Sequence, residues 1–421
     1  MTQSASTQRA QRSARAPLGL GLSLLFLVVL AGSYVVNAMD RQVFPVLLTD
    51  VRAEYGFTLT QGGLLATIFT LGIGLAGIPS GHLLDRMSRK AVMLLGIVIF
   101  SVFTILTAAA AGFWDMFAYR AVTGVGEAMQ NAALFSAVGA YFFARRAMAL
   151  GTLNFAYGLG SFLGPLLGAK LAGPEAAWRT PLYIFGAIGL AFVVLIAVAV
   201  SKRFTEQVDG GVGAGPARSF AHVPSHLYNR NLVLCAVAAM VVGVSMYGYL
   251  GLYPTFLREE LGFSSSTAGV AASMFGLGAL MGIPAGWIGD RFNQRTVMIA
   301  ALLAGSVVGW LLFNGPETPA GQNLLSFAEG AIASGFLFVN IYSSMQRCVR
   351  PEMVGRASGL YVASFYVPAA LAGYLFSSLV EHASWGAAGL WQLTVLPFVA
   401  VAALWFVDVR EFNNAAPAGA R

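Results

Sequence analysis

Charged side chains inside apolar runs are the residues of this chain best placed to do chemistry. Asp40 and Arg41 are adjacent in Asn37-Ala-Met-Asp40-Arg41, and Arg120 and Glu127 share a second run, Arg120-Ala-Val-Thr-Gly124-Val-Gly126-Glu127. A third run carries Glu329. An ionisable group costs several kcal/mol at membrane depth unless it is paired or hydrated, so such residues face a cavity. Carboxylates there can take up protons, and guanidiniums can pair with them or contact an anion. Seven residues make almost two helical turns, which puts Arg120 and Glu127 on one face about 10 Å apart. The four charges sum to zero, predicting a paired network at Asp40, Arg41, Arg120 and Glu127; a purely stabilising cluster is the competing reading. Glu329 has no basic residue at comparable depth in its part of the chain. It reads as a proton carrier or cation contact, with hydration near an outer mouth as the alternative.

These residues must be positioned by membrane helices. The chain has 57% hydrophobic and 10% charged residues, too few charges to cover a water-soluble globule. Stretches of about 20 mainly apolar residues recur twelve times, the first over 18–44, predicting an all-α integral membrane protein of 12 transmembrane helices. The polar segment 202–230, with Gly210-Gly211-Val-Gly213-Ala-Gly215-Pro216 at its centre, reads as a flexible connector. It divides an N-terminal six-helix bundle, 18–201, from a C-terminal one, 231–408, with cytoplasmic tails at 1–17 and 409–421. The first apolar run shows no convincing cleavage site and is expected to be retained.

Most of the 25 Lys and Arg residues fall on segments that share a face with the N-terminus. Arg52, Lys170, Arg179 and Arg258 fall on the other face. The asymmetry puts both termini in the cytoplasm, and the short tails point to a bacterial inner membrane. The net charge of +7 is therefore topology rather than nucleic-acid binding. Cys235 and Cys348 lie far apart in sequence and read as reduced packing residues. There is no phosphate loop, metal-ligand pattern or nucleophile triad, so neither an enzyme nor a cofactor is expected. The proton is the only coupling species called for, and the protein is expected to work as a monomer.

One charged turn occurs twice, as Gly81-His-Leu-Leu-Asp85-Arg86-Met-Ser-Arg89-Lys90 and as Gly286-Trp-Ile-Gly-Asp290-Arg291-Phe-Asn-Gln-Arg295. A hairpin repeated at half the chain length is the pattern of a transporter built from parallel repeats. The glycines allow close helix approach, and the charges can make and break contacts as a cavity opens. Gly81, Asp85, Arg86, Arg89, Lys90, Gly286, Asp290, Arg291 and Arg295 are thus candidates for gating. Gln294 stands where the first copy is basic, so the first copy is expected to matter more.

The doubled turn resembles the signature of the major facilitator superfamily. Within it, Asn37-x-x-Asp40-Arg41 with Arg120-x-x-x-Gly124-x-Gly126-Glu127-Ala128 resembles the Spinster-like family, with Ala38 replacing a tyrosine. The resemblance is carried by the N-terminal half. It implies proton coupling at Asp40 and Glu127, charge partners at Arg41 and Arg120, and a lysophospholipid or sphingoid-type amphiphile as substrate. The organic anion–cation symporter family shares much of this pattern and would imply a small carboxylate.

Gly160-Ser-Phe-Leu-Gly164-Pro165-Leu-Leu-Gly168 is similar to a motif of proton-coupled drug exporters, adding a drug or metabolite antiporter as an alternative. A lipid scramblase is the alternative that is not a coupled transporter. Asn37, Gln130, Asn131, Asn154, Tyr157, Tyr247, Asn340 and Tyr361 are candidates to line the cavity; each taken singly is more often a packing residue.

Overall fold

The computed structural model describes residues 18–142, 146–173, 177–206, 222–350 and 353–413. The N-terminal tail 1–17, the Gly-rich centre of the connector and the last residues, 414–421, lie outside the described residues. Twelve long helical segments follow in order. They are α1 (Leu20–Tyr55), α2 in two pieces (Leu59–Thr67 and Phe69–Arg86), α3 (Arg89–Ala108), α4 (Phe113–Tyr141), α5 (Arg146–Ala172) and α6 (Arg179–Ala199). The second set is α7 (Arg230–Glu259), α8 (Ser265–Arg291), α9 (Gln294–Asn314), α10 (Pro319–Arg347), α11 (Val354–His382) and α12 (Trp385–Trp405). Ten of the twelve are long and apolar enough to cross a membrane. The exceptions are α4 and α5. The first carries Arg120, Glu127, Gln130 and Asn131; the second carries Asn154 and a run of glycines. Helices that line a polar interior give up apolar residues, which is why these two fall short.

The face carrying Leu20 and Trp405 is termed the terminal face, and the opposite one the distal face. Helix α1 outruns its expected end near residue 44 and continues to Tyr55. Its 36 residues span about 54 Å, against a hydrocarbon core of about 30 Å. The extension carries Asp50, Arg52 and Glu54, whose charges stop an apolar run but not a helix. Gly56, in the left-handed conformation at φ 68°, then terminates it.

The repeated turn has a structural task that its sequence conceals. The Lys90 ammonium donates to the Ala197 and Val200 carbonyls at 2.8 and 2.6 Å, closing the C-terminal end of α6. Its counterpart Arg295 donates to the Trp405 and Val407 carbonyls at 3.4 and 3.3 Å, closing the end of α12. A cation on the last carbonyls of a helix satisfies orphan acceptors and complements the helix dipole. Lys90→Ala should therefore cost about 1–2 kcal/mol, seen as a lower melting temperature in detergent, with Lys90→Arg close to wild type.

The connector is anchored at both described ends. Glu206 accepts from the Arg89 and Lys90 amides at 3.0 Å each, tying its start to α3. At its other end the Val223 carbonyl accepts from Arg350 at 3.2 Å, and Asn229 donates to the Cys348 carbonyl at 2.8 Å. Cys348, distant from Cys235 in sequence, sits beside it as a second buried free thiol.

Candidate transport site

The site forms where α1, α3 and α4 meet, and the glycines of α4 decide its depth. A Cβ on Gly124 would run into the Phe69 carbonyl of α2, and one on Gly126 would strike the Phe100 amide of α3 at 2.5 Å. Only glycine lets α4 lie this close to both helices, and the same turn carries Glu127 into the interior. On the other side of α1, Gly160 and Gly164 of α5 lie against the Val35 carbonyl and Met39 backbone. That is the packing role of the glycine–proline motif.

All four expected charges converge. Asp40, Arg41, Arg120 and Glu127 are buried, none more than 2% exposed. The pairing runs between helices rather than along α4: Arg41 Nε lies 2.9 Å from Glu127 Oε2. Alignment is imperfect, since neither atom reaches hydrogen-bond geometry and Glu127 Oε1 and Arg41 Nη2 also have no partner. Asp40 accepts from the Thr104 hydroxyl at 2.8 Å, and its other oxygen is unpartnered.

Arg120 departs from the expected network. It forms no ion pair within 4.0 Å among the described residues, and it lies 4.5 Å over the Phe44 ring and 5.0 Å over Phe69. Its Nε approaches the Leu65 carbonyl at 3.5 Å, while Nη2 has no hydrogen-bond partner. An arginine held between aromatic faces keeps its charge with few hydrogen bonds spent. The arrangement can bind an anion at Arg120 or Arg41 and can exchange a proton at Glu127 or Asp40.

The remaining candidates separate by role. Asn37 donates to Gln130 at 2.8 Å and Gln130 to Ser33 at 3.1 Å, so these two zip α1 to α4. Asn131 is half-buried with an unpartnered carbonyl oxygen, and Asn154 is exposed. Tyr157 lies 6.1 Å from Tyr34, and Tyr247 packs on Phe69, Phe365 and Tyr366. Asn340 is spent on the Ala285 and Phe336 carbonyls, and Tyr361 on the Phe338 carbonyl, so both hold the C-terminal bundle together. Glu329 lies apart from the four charges, beside a cavity of about 30 Å³ lined by α7, α9, α10 and α12.

Sequence reasoning missed the distal closure. Arg258 makes a two-pronged pair with Asp50, both contacts 2.7 Å, and Arg52 reaches Glu259 at 2.6 Å. Glu381 accepts from the Thr60 amide and hydroxyl, joining α11 to α2. Opposite charges at the matching ends of α1 and α7 were the available signal. At the terminal face Asp290 pairs with Arg347 inside its own half, whereas Asp85 and Arg86 are exposed. The aspartate of the second copy is thus held in an ion pair, while that of the first copy stands exposed. A Cβ on Gly81, Gly151 or Gly355 would meet nothing within 4 Å, so none of these three glycines packs against a neighbouring helix here.

Two repeated helical bundles around buried charges, joined by ion pairs at the distal face, define a membrane transporter fold. The chain belongs to the Major Facilitator Superfamily, whose model matches residues 30–371 and 235–421, a family of transporters and not enzymes. It is 24% identical over 430 residues to the sphingosine-1-phosphate transporter of Xenopus tropicalis, covering 91% of this chain and 82% of the other. It is also 24% identical over 293 residues to the hexuronate transporter of Bacillus subtilis, covering 68% of each. Its fold matches a bacterial homolog of the human lysosomal transporter Spinster in an inward-facing, unoccupied conformation. That match has a TM-score of 0.72, 19% identity, and coverage of 93% of this chain and 95% of that one.

Proposed function

We propose that the chain is a proton-linked, Spinster-like secondary transporter working by alternating access, with a lysophospholipid or sphingoid-type amphiphile as substrate. The observation that carries this reading is the buried Arg41–Glu127 pair with Asp40 and Arg120 beside it, each keeping an unpartnered polar atom. A proton on Glu127 removes the anion that holds Arg41 and frees the guanidinium for an anionic headgroup. The tyrosines near Arg41, Tyr34 and Tyr366, offer aromatic surface with a polar tip to the adjoining part of an amphiphile. Binding moves the carrier only as far as substrate and proton differ in affinity between its two states.

The terminal face is the cytoplasmic one in this proposal, in a bacterial inner membrane, and the conformation is closed to the outside. Residues 18–201 and 231–408 are the moving bundles, joined by 202–230. Asp85, Arg86, Arg89, Gly286, Asp290 and Arg291 regulate closure at the cytoplasmic face, with Lys90 and Arg295 bracing the bundles.

A second reading is a proton-coupled symporter of small organic anions. The unpartnered Arg120 Nη2 favours it, since a carboxylate fits a guanidinium in two-pronged fashion. A panel in proteoliposomes tests both. Fluorescent lysophospholipids and sphingoid bases are compared with small aromatic and aliphatic acids, with and without a pH gradient. Amphiphile flux that rises with the gradient is the expected result. Acid flux alone selects the symporter, export of unrelated drugs selects an antiporter, and pH-independent lipid flux selects a scramblase.

A further inference from the structure

Glu329 is a buried carboxylate that the central site does not use. It is 6% exposed, and its Oε2 has no hydrogen-bond partner. It lies ten residues into α10, about 15 Å from the distal end of that helix. The cavity beside it, about 30 Å³, is lined by Val242, Ser245, Leu302, Ala333, Leu337 and Leu393, among others. That is room for at least one water.

Two irregular helical segments border this space. Gly330–Phe338, which begins directly after Glu329, is a π-helix, and so is Leu390–Val395 of α12. Wide turns of this kind are rare and recur at functional sites, because they leave backbone groups free to re-pair. Tyr249 of α7 is the titratable neighbour, its hydroxyl 2.7 Å from that of Ser326, one turn before Glu329. Among the described residues, no charged side chain from α7, α8, α9, α11 or α12 faces the carboxyl.

We propose that Glu329 and this cavity form a second proton-binding site, confined to the C-terminal half and separate from the Asp40–Glu127 centre. The proposal deepens the proton-linked reading and rests on it for any role in transport. A metal ion would need several oxygens, and the lining offers one carboxylate and one hydroxyl amid carbon; a proton needs only the carboxylate. The neutral acid is compatible with the apolar packing, whereas the anion requires water in the cavity or a shift of the wide turns that follow it. The π segment of α10 is thus the element whose form the proton biases.

Infrared difference spectra of the purified protein in lipid, taken between acid and alkaline pH, test this without any substrate. The wild type should show a protonated-carboxyl carbonyl band that Glu329→Gln removes and Asp40→Asn or Glu127→Gln does not. A band of full amplitude in Glu329→Gln overturns the proposal. If the Gln variant does not fold, Glu329→Asp keeps the carboxyl and should move the band; an unmoved band is equally fatal. Flux that ignores pH in the wild type would end the proton-linked reading while leaving the infrared result to stand on its own.

Discussion

Glu127→Gln should abolish proton-driven uptake in proteoliposomes, by about a hundredfold, while the protein is still made and still folds. A coupling free energy of about 1–3 kcal/mol corresponds to roughly 5–150-fold, and losing the titrating group removes all of it. Gln is nearly isosteric with Glu and leaves Arg41 a neutral acceptor at the 2.9 Å contact. Removing the cation has a different result. Arg41→Ala leaves Glu127 buried at 0% exposure without its ion-pair partner, a change that costs about 3–5 kcal/mol and should lower yield and melting temperature. Arg41→Gln combined with Glu127→Gln should recover folding but not pH-driven transport. Asp40→Asn should likewise lose pH dependence, because its second oxygen is free to take a proton. If Glu127→Gln and Asp40→Asn both keep full proton-driven flux, the four charges are a structural cluster and the proposed coupling is wrong.

Arg258→Ala should open the distal face. The Arg258–Asp50 pair is 17% and 9% exposed and made by two charge-assisted hydrogen bonds of 2.7 Å. Such bonds contribute about 1.5–3 kcal/mol each when partly buried, so losing them should shift the conformational equilibrium tenfold or more toward the distal-open state. Spin labels at Asp115 and Glu317, exposed positions at the distal ends of the two halves, report the change as a longer distance in pulsed electron resonance. Exchanging the charges, Asp50→Arg with Arg258→Asp, should restore the short distance. Arg52→Ala loses the more exposed pair and should move the equilibrium by less than about 1 kcal/mol. An unchanged distance distribution in Arg258→Ala would mean that the other contacts hold the face closed without this pair, such as Gly63 against Gly373 and Glu381 on Thr60.

The repeat and the buried charges made most of this fold legible before any coordinates. A tight charged turn between apolar runs has one stable solution in a bilayer, and finding it twice defined two bundles. The glycines of Arg120-x-x-x-Gly124-x-Gly126-Glu127 were visible too, although their contacts with α2 and α3 were not. Which arginine pairs with Glu127 was left open, because spacing along α4 relates Arg120 to Glu127 but says nothing about side chains from α1. Arg41 won that contact by facing Glu127 across the interface, and Arg120 found two phenylalanines instead. Thr104 was invisible, since one hydroxyl among many on apolar helices carries no mark. Lys90 and Arg295 read as movable charges, yet each is occupied at a helix end. Polar Asn340 read as cavity and proved to be a strut, because periodicity does not reveal which carbonyls a neighbouring helix leaves free.

The length of α1 has one more consequence. The helix is a single rod in two solvents. Its midpoint, at Asp40 and Arg41, is governed by protein and lipid, where a charge must have company. Its distal end carries Arg52, whose pair with Glu259 is partly open to solvent, where dissolved ions weaken a charge pair within a Debye length of about 8 Å. The carrier's closure and its chemistry are thus set by different media, and the ionic strength at the distal face can change one without touching the other.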